Sequence, residues 1–310
     1  MSPRQVVGLV LDEDRRGLLA AKRRCSVIAR AATAVARALE SGGRVLLVGA
    51  GTSGRLAVLE AAECPPTFGT RPWQIQAAMA GGPAALFAAS EGAEDREDAG
   101  RGAGRRVKRG DLLLAISASS VTPFVRAALS AARARGAHTV LLTCAPGRGL
   151  RRLAEIVISI PTGAEVLTGS TRLKAGSATK GVLNAITTAA MVRLGKTYEN
   201  LMVDLRPRSA KLRDRLHRIV AAAARVPPAH AARLLAGAGG DAKTAIVMGR
   251  LGLSASEARH RLRAAQGHVR RALALRRAAR CRAPTATRTG RVATGQPHRR
   301  SHPSAHQPRT

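Results

Sequence analysis

Apolar and polar positions alternate along the chain in two different rhythms. From Asp12 to Glu40 apolar residues recur at helical spacing in an Ala/Leu/Arg-rich stretch, which Ser41-Gly42-Gly43 ends. Five short continuous apolar runs follow, at Arg44–Ala50, Ile75–Ala80, Asp111–Ala118, His138–Cys144 and Ile156–Thr162, and helical stretches such as Pro123–Arg135 separate most of them. Unbroken apolar strands alternating with helices predict an α/β fold whose parallel sheet is covered on both faces. A long helix is predicted from near Ser170 toward Leu194. Beyond Asp204 the pattern changes to short Ala/Leu/Arg helices, broken at Val226–Pro228 and Gly237–Gly240, with Asp241–Leu251 as one member of a small bundle. These shifts predict an N-terminal helical segment over 1–40, a sheet domain over 41–204, a C-terminal helical domain over 205–275 and a tail over 276–310.

Composition sharpens this picture in three places. The 310 residues suffice for one large domain with an appendage, and with 45% hydrophobic but only 2% aromatic residues the core must be built from Ala, Val, Leu and Ile. Lys and Arg number 52 against 19 Asp and Glu, a formal charge of +33, which raises nucleic acid as a partner. Aromatic side chains that could stack on bases are nearly absent, however, and the abundance of Arg, Ala, Gly and Pro is what a GC-rich coding sequence produces. The stretch from Arg276 to Thr310 has nine Arg, three His and no acid, so it is expected to be a disordered basic tail with at most non-specific affinity for nucleic acid. Cys25, Cys64, Cys144 and Cys281 are scattered without a C-x-x-C pair, which suggests neither a zinc site nor a disulfide framework. The apolar run "VVGLVL" is too short for a signal segment or a membrane span, so a cytoplasmic protein is expected.

The first apolar run breaks into "GAGTSG", where Gly49, Gly51 and Gly54 satisfy G-x-G-x-x-G. A dinucleotide site would also need an acid at the end of the second strand to hold the ribose, and that strand ends "QAAMAGG". The loop carries Thr52 and Ser53 instead, hydroxyls suited to the oxygens of a monophosphate beside a helix N-terminus. A second hydroxyl-rich loop follows the third run, with Ser117, Ser119, Ser120 and Thr122. Any one of these serines is adequately explained as a helix cap. Two such loops at the carboxyl edge of one sheet favour a sugar-phosphate pocket.

The stretches "VGAGTSGRLAVLEAAECPPTFGT", "EGAEDRED", "AEVLTGSTRLKAG" and "GKTYENLMVDL", in this order, closely resemble the N-acetylmuramic acid 6-phosphate etherase family, and some are shared with the glucokinase regulatory protein. The similarity extends to about Leu273. This resemblance implies a sugar isomerase (SIS) type three-layer sandwich with a five-stranded parallel sheet and a small C-terminal helical domain. It implies a homodimer that needs no metal or redox cofactor, and cleavage of a D-lactyl ether to N-acetylglucosamine 6-phosphate and D-lactate. In the open sugar, C2 lies next to an aldehyde, its proton is removable, and lactate leaves from C3 before water adds. Such chemistry needs two carboxyl groups in different environments. The family's pair falls on Glu63, assigned to leaving-group protonation and water addition, and Glu94, assigned to C2 deprotonation. The two roles are exchangeable at this level; the pair is the firmer assignment. Gly51, Thr52, Ser53, Ser117, Ser119 and Ser120 would hold phosphate and sugar hydroxyls, with Glu165, Ser170 and Lys174 as further pocket residues. Helix capping with a solvated lysine is the plainer account of "TGSTRLK". Glu91, Asp95, Glu97 and Asp98 read as solvated acids, Cys64 as a packed thiol, and Met191 and Met202 as core.

The match departs from the family in four places. Ser120 and Val121 stand where the family has Gly and Arg, and a Cβ at Ser120 is costly where the backbone needs positive φ. Glu60 replaces an Asp, Ala145 replaces an Asn, and the family's Thr-Glu and Asn signature has no counterpart before Leu11. These changes sustain an alternative, a non-catalytic sugar-phosphate-binding regulator that keeps the pocket without turnover. An aldose–ketose isomerase is disfavoured by the "ECPPT" and "EGAED" motifs.

Overall fold

A capping box starts the first helix, α1 (Pro3–Lys22): the Ser2 hydroxyl accepts from the Gln5 amide, and the Gln5 side chain accepts from the Ser2 amide. The computed structural model describes residues 1–146, 149–205, 207 and 209–275, so the expected tail over 276–310, with Cys281, lies outside the described residues. The helical segment expected over 1–40 consists of two helices, because α1 ends at Lys22 and α2 (Cys25–Glu40) follows. No Gly or Pro marks this break. Gly17 of α1 lies against Lys174 and Ala178, whereas Ile28, Ala31 and Val35 of α2 join the core beside the sheet. Tertiary packing overrides a continuous periodicity here.

The expected strands form: β1 (Val45–Gly49), β2 (Ile75–Met79), β3 (Leu112–Ile116), β4 (His138–Thr143) and β5 (Ile156–Ser159). They build one parallel sheet in the order β2-β1-β3-β4-β5, with Val45 in register with both Ile75 and Leu112. Helices α3 (Gly51–Phe68), α4 (Glu97–Gly104), α5 (Pro123–Ala134) and α6 (Lys174–Arg193) connect and cover it. Alternate side chains divide between two cores. Leu47, Leu112, Leu114 and Leu142 pack with α1, α2, α3 and α6, while Leu46, Val48, Leu113 and Leu141 pack with α4 and α5. The result is the three-layer α/β sandwich. A short hairpin, β6 (Thr197–Tyr198) with β7 (Leu201–Met202), precedes five helices. These are α7 (Ala210–Ala224), α8 (Pro228–Gly237), α9 (Ala242–Leu251), α10 (Ala255–Ala264) and α11 (Val269–Ala274), gathered on a separate cluster that includes Tyr198, Val220, Ile246 and Val247. Met1–Leu275 nevertheless form a single compact unit.

Two backbone positions shape the carboxyl edge. A Cβ on Gly54 would lie 2.7 Å from the Gly49 carbonyl oxygen, so α3 seats on the end of β1 only because that atom is missing. Ser120 adopts φ +64°, the left-handed conformation that glycine takes freely. Substitution at the two sites is expected to act in opposite directions. Gly54→Ala should destabilise by about 1–3 kcal/mol through overpacking. Ser120→Gly should stabilise by about 1 kcal/mol, the relief of the left-handed strain less the added chain entropy. Urea unfolding of both variants beside the parent measures these shifts; a stable Gly54→Ala variant would refute the close-approach account.

Candidate active site

The chain crosses from one side of β1 to the other between β2 and β3, which makes the gap between β1 and β3 the switch point of the sheet. Ligands of open α/β sheets bind at such a gap. Both hydroxyl-rich loops lie there. The first runs from β1 directly into α3, where Ala50 at the cap position offers no side-chain acceptor. The first-turn amides therefore lack the partner that a Ser or Asp would supply, and Thr52 and Ser53 stand half-buried beside them. In the second loop, Ser117 is buried and structural: its Oγ lies 3.0 Å from Thr122 Oγ1 and accepts from the Ser120 amide at 3.0 Å. The Ser120 hydroxyl donates to the Ser119 carbonyl at 2.5 Å, leaving Ser119 as the exposed hydroxyl of the loop.

Two cavities flank the Gly51–Thr52 turn. One, of about 190 Å³, is lined by Gly51, Met79, Ser90, Glu91 and Glu94 among others. Arg55 walls it by donating to the carbonyls of Leu86, Ala85 and Ala88 at 3.0, 2.8 and 3.2 Å. The other, of about 410 Å³, is lined by Thr52, Leu56, Arg172, Gly176, Ser177 and Lys180. Glu94 thus faces the turn directly, from a short 3-10 turn over Ala93–Asp95. Glu91, read from the sequence as a solvated acid, is exposed and lines the same cavity.

Glu63 is elsewhere on the chain. It lies twelve residues beyond Gly51 on α3, about 18 Å along a helix that rises roughly 1.5 Å per residue. It is exposed and bonded to Lys180 at 3.2 Å. A single chain therefore does not bring Glu63 and Glu94 to one point; it links Glu63, through Lys180, to the cavity at Thr52. Neighbouring Cys64 is buried, and desolvation together with the charge of Glu60 pushes its thiol up to about 12, as befits a packed thiol and not a nucleophile.

The remaining expected pocket residues build the framework. The predicted helix start near Ser170 is displaced to Lys174, because the cap comes from outside the helix. The Glu165 carboxylate accepts from the amides of Lys174 and Ala175 at 3.0 and 2.9 Å, compensating the helix dipole. Ser170 precedes the helix in a half-buried loop. Lys174 is buried, and its ammonium is held by Glu13 of α1 and by the Ala164 carbonyl. Glu165 and Lys174 thus fasten α6 and α1, and neither is among the residues lining the two cavities at the turn. Residues that the sequence reading passed over are Lys180 and Arg172, which do line a cavity. The available signal for Lys180 was its spacing from Asn184 and Thr187 along one stripe of α6.

The profile of the glucokinase regulatory protein N-terminal SIS domain matches residues 27–133, and that of the SIS domain matches residues 93–189. The chain is 48% identical over 275 residues to the N-acetylmuramic acid 6-phosphate etherase of Rubrobacter xylanophilus, covering 88% of this chain and 91% of that one. It is 45% identical over 273 residues to the Mycolicibacterium smegmatis etherase, covering 87% and 91%. It is also 45% identical over 275 residues to the Salmonella agona etherase, covering 88% and 93%. Among solved structures, the phosphoheptose isomerase of Neisseria gonorrhoeae superposes at a TM-score of 0.44 with 18% identity, covering 60% of this chain and 95% of that one. At this identity over nearly nine-tenths of its length, the chain belongs to the N-acetylmuramic acid 6-phosphate etherase family and is built on a SIS domain.

Proposed function

We propose that Glu63 and Glu94 carry out the etherase reaction of this chain, the cleavage of N-acetylmuramic acid 6-phosphate to N-acetylglucosamine 6-phosphate and D-lactate by a carbon–oxygen lyase. The observation that carries the reading is Glu94 in the wall of the cavity at the Gly51 turn, beside the uncapped start of α3. The uncapped start of α3 with Thr52 and Ser53 receives the phosphate, and Ser119 offers a further hydroxyl. With the sugar open, Glu94 takes the C2 proton and returns it to C2 when water adds at C3. Glu63 protonates the departing lactyl oxygen and then takes a proton from the water that adds at C3.

Glu94 lines the cavity at the start of α3 and Glu63 lies about 18 Å along that helix, so we assign the two carboxyls that act on one hexose to two copies of the chain, Glu94 from the copy whose turn holds the phosphate and Glu63 from the other. A homodimer is consistent with the exposed apolar side chains of Leu18, Leu59 and Val192 on α1, α3 and α6. The reaction takes place in the cytoplasm on a phosphorylated sugar. Ser120 at positive φ, with Val121 beside it, favours the second reading, a sugar-phosphate-binding regulator.

Two measurements decide the matter. Glu63→Gln and Glu94→Gln should each lower D-lactate release by about 100-fold or more, the range of general acid–base catalysis. Parental turnover in both would remove these residues from the mechanism, and binding of the substrate by the parent without any release would establish the regulator. Subunits of the two variants, exchanged by co-expression, should recover about a quarter of parental activity, because about half the dimers are mixed and each mixed dimer keeps one intact site. A mixture as inactive as its parts would place both carboxyls in one chain's site.

A further inference from the structure

Lys180 stands in a polar cluster that joins α3 to α6. Its ammonium has three hydrogens and meets three acceptors: Asn184 Oδ1 at 2.8 Å, Glu60 Oε2 at 2.9 Å and Glu63 Oε2 at 3.2 Å. Glu60 is only 4% exposed, and its other oxygen accepts from Thr187 Oγ1 at 2.5 Å. The helical spacing sets up the contact. Glu60 and Glu63 lie one turn apart on α3, while Lys180, Asn184 and Thr187 fall on one stripe of α6. Burial pulls the Lys180 pKa down, but the hydrogen bond and charge of Glu60, followed by those of Glu63, more than offset this and raise it above the ordinary lysine value. Lys180 is therefore a cation throughout the neutral range.

The Glu63 side chain is 60% exposed, against 25% for Lys180 and 5% for Glu60. A solvated glutamate samples many rotamers, and holding it in one costs entropy that an isolated surface ion pair barely repays. Here the cation is itself fixed from behind by a buried carboxylate, so the tether is stiffer than a surface pair. A lysine that served only to neutralise Glu60 would have no need of Glu63. We propose that Lys180 is a positioning residue for the ether cleavage: anchored on the buried Glu60–Thr187 pair, it holds the Glu63 carboxyl group by Oε2, so that the other oxygen, protonated at the outset, gives its proton to the lactyl oxygen and regains one from water. This inference rests on the reading of Glu63 as a catalytic group. Lys180 also lines the cavity shared with Thr52 and Arg172, which puts the tether on the ligand side of the helix pair.

Lys180→Met alone would strand the Glu60 charge in the core, so a loss of folding in that variant says nothing about positioning. The double variant Glu60→Gln/Lys180→Met removes both charges and keeps an acceptor for Thr187. It is compared with the parent, with Glu63→Gln and with Lys180→Arg, whose guanidinium retains donors for both carboxylates. Three readouts are taken: kcat and KM for D-lactate release, deuterium incorporation at substrate C2 in heavy water, and the melting profile by circular dichroism. The expected result for the double variant is a folded protein with kcat down by about 100-fold and KM within about threefold. Its C2 exchange, the step assigned to Glu94, stays within about threefold of the parent, and Lys180→Arg regains part of kcat. A folded double variant with parental kcat overturns the proposal, as does a parallel fall in release and C2 exchange, which would mark a merely structural role. Glu63→Gln separates the two levels. If it releases lactate at the parental rate, the underlying assignment of Glu63 is wrong; if it is impaired while the double variant is not, only the tether is wrong.

Discussion

The close approach of α3 to β1 is the constraint on which the rest of the site depends. With no Cβ at Gly54, the first turn of α3 lies against the Gly49 carbonyl, and the helix starts immediately after the strand. Three consequences follow from that one seating. The uncapped amides of the first turn are placed at the switch point of the sheet, with Thr52 and Ser53 beside them. Arg55, one residue on, reaches the carbonyls of Ala85, Leu86 and Ala88 and so walls the cavity that Glu94 lines. Glu60 and Glu63, farther along the same helix, are set against α6. A shift of α3 away from β1 would disturb the Thr52–Ser53 turn, the Arg55 clamp and the Lys180 cluster together.

An almost aromatic-free core imposes a second constraint, met by bringing backbones close. On α4, a Cβ at Gly100 would lie 2.2 Å from the Phe124 carbonyl oxygen, and one at Gly104 would lie 2.2 Å from that of Ala128. These glycines, one helical turn apart, let α4 lie directly on α5. Small residues replace bulk with proximity, since dispersion contacts depend on separation and not on side-chain size alone. The same device recurs where Gly17 of α1 meets the Lys174 side chain of α6. Close packing of this kind makes the helical layers intolerant of added methyl groups.

The strands were legible in the sequence because a sheet buried on both faces requires continuous apolar runs, and those runs have few competing explanations. The positive φ of Ser120 was legible as well, from the glycine that a residue there displaces. What was not legible depends on distant partners. Nothing near Lys22–Cys25 announces a break, because α1 and α2 carry the same periodicity and diverge only through what each packs against. The start of α6 was misplaced because its cap, Glu165, lies outside the helix and reaches back to it. That Glu13, from the far end of the chain, holds the Lys174 ammonium has no local signal either. Lys180 was overlooked for the complementary reason: spacing reveals which residues share a helical face, not which carboxylates the opposite helix presents.

With 52 cationic residues against 19 acidic ones, cation partners are plentiful for buried carboxylates. The buried acids conform: Asp111 is bonded to Arg44, Glu60 to Lys180, and the less enclosed Glu13 and Asp204 also hold lysines. Glu94 does not; among the described residues it makes no ion pair. The arginines closest in sequence are engaged elsewhere, Arg96 with Asp98 at 2.7 Å and Arg101 with Glu97 at 2.8 Å. Arg55, which lines the same cavity, is bonded to backbone carbonyls. Glu63, in contrast, is held by an ammonium. On the proposed reading the two carboxyls act from different surroundings, Glu63 beside an ammonium and Glu94 without one.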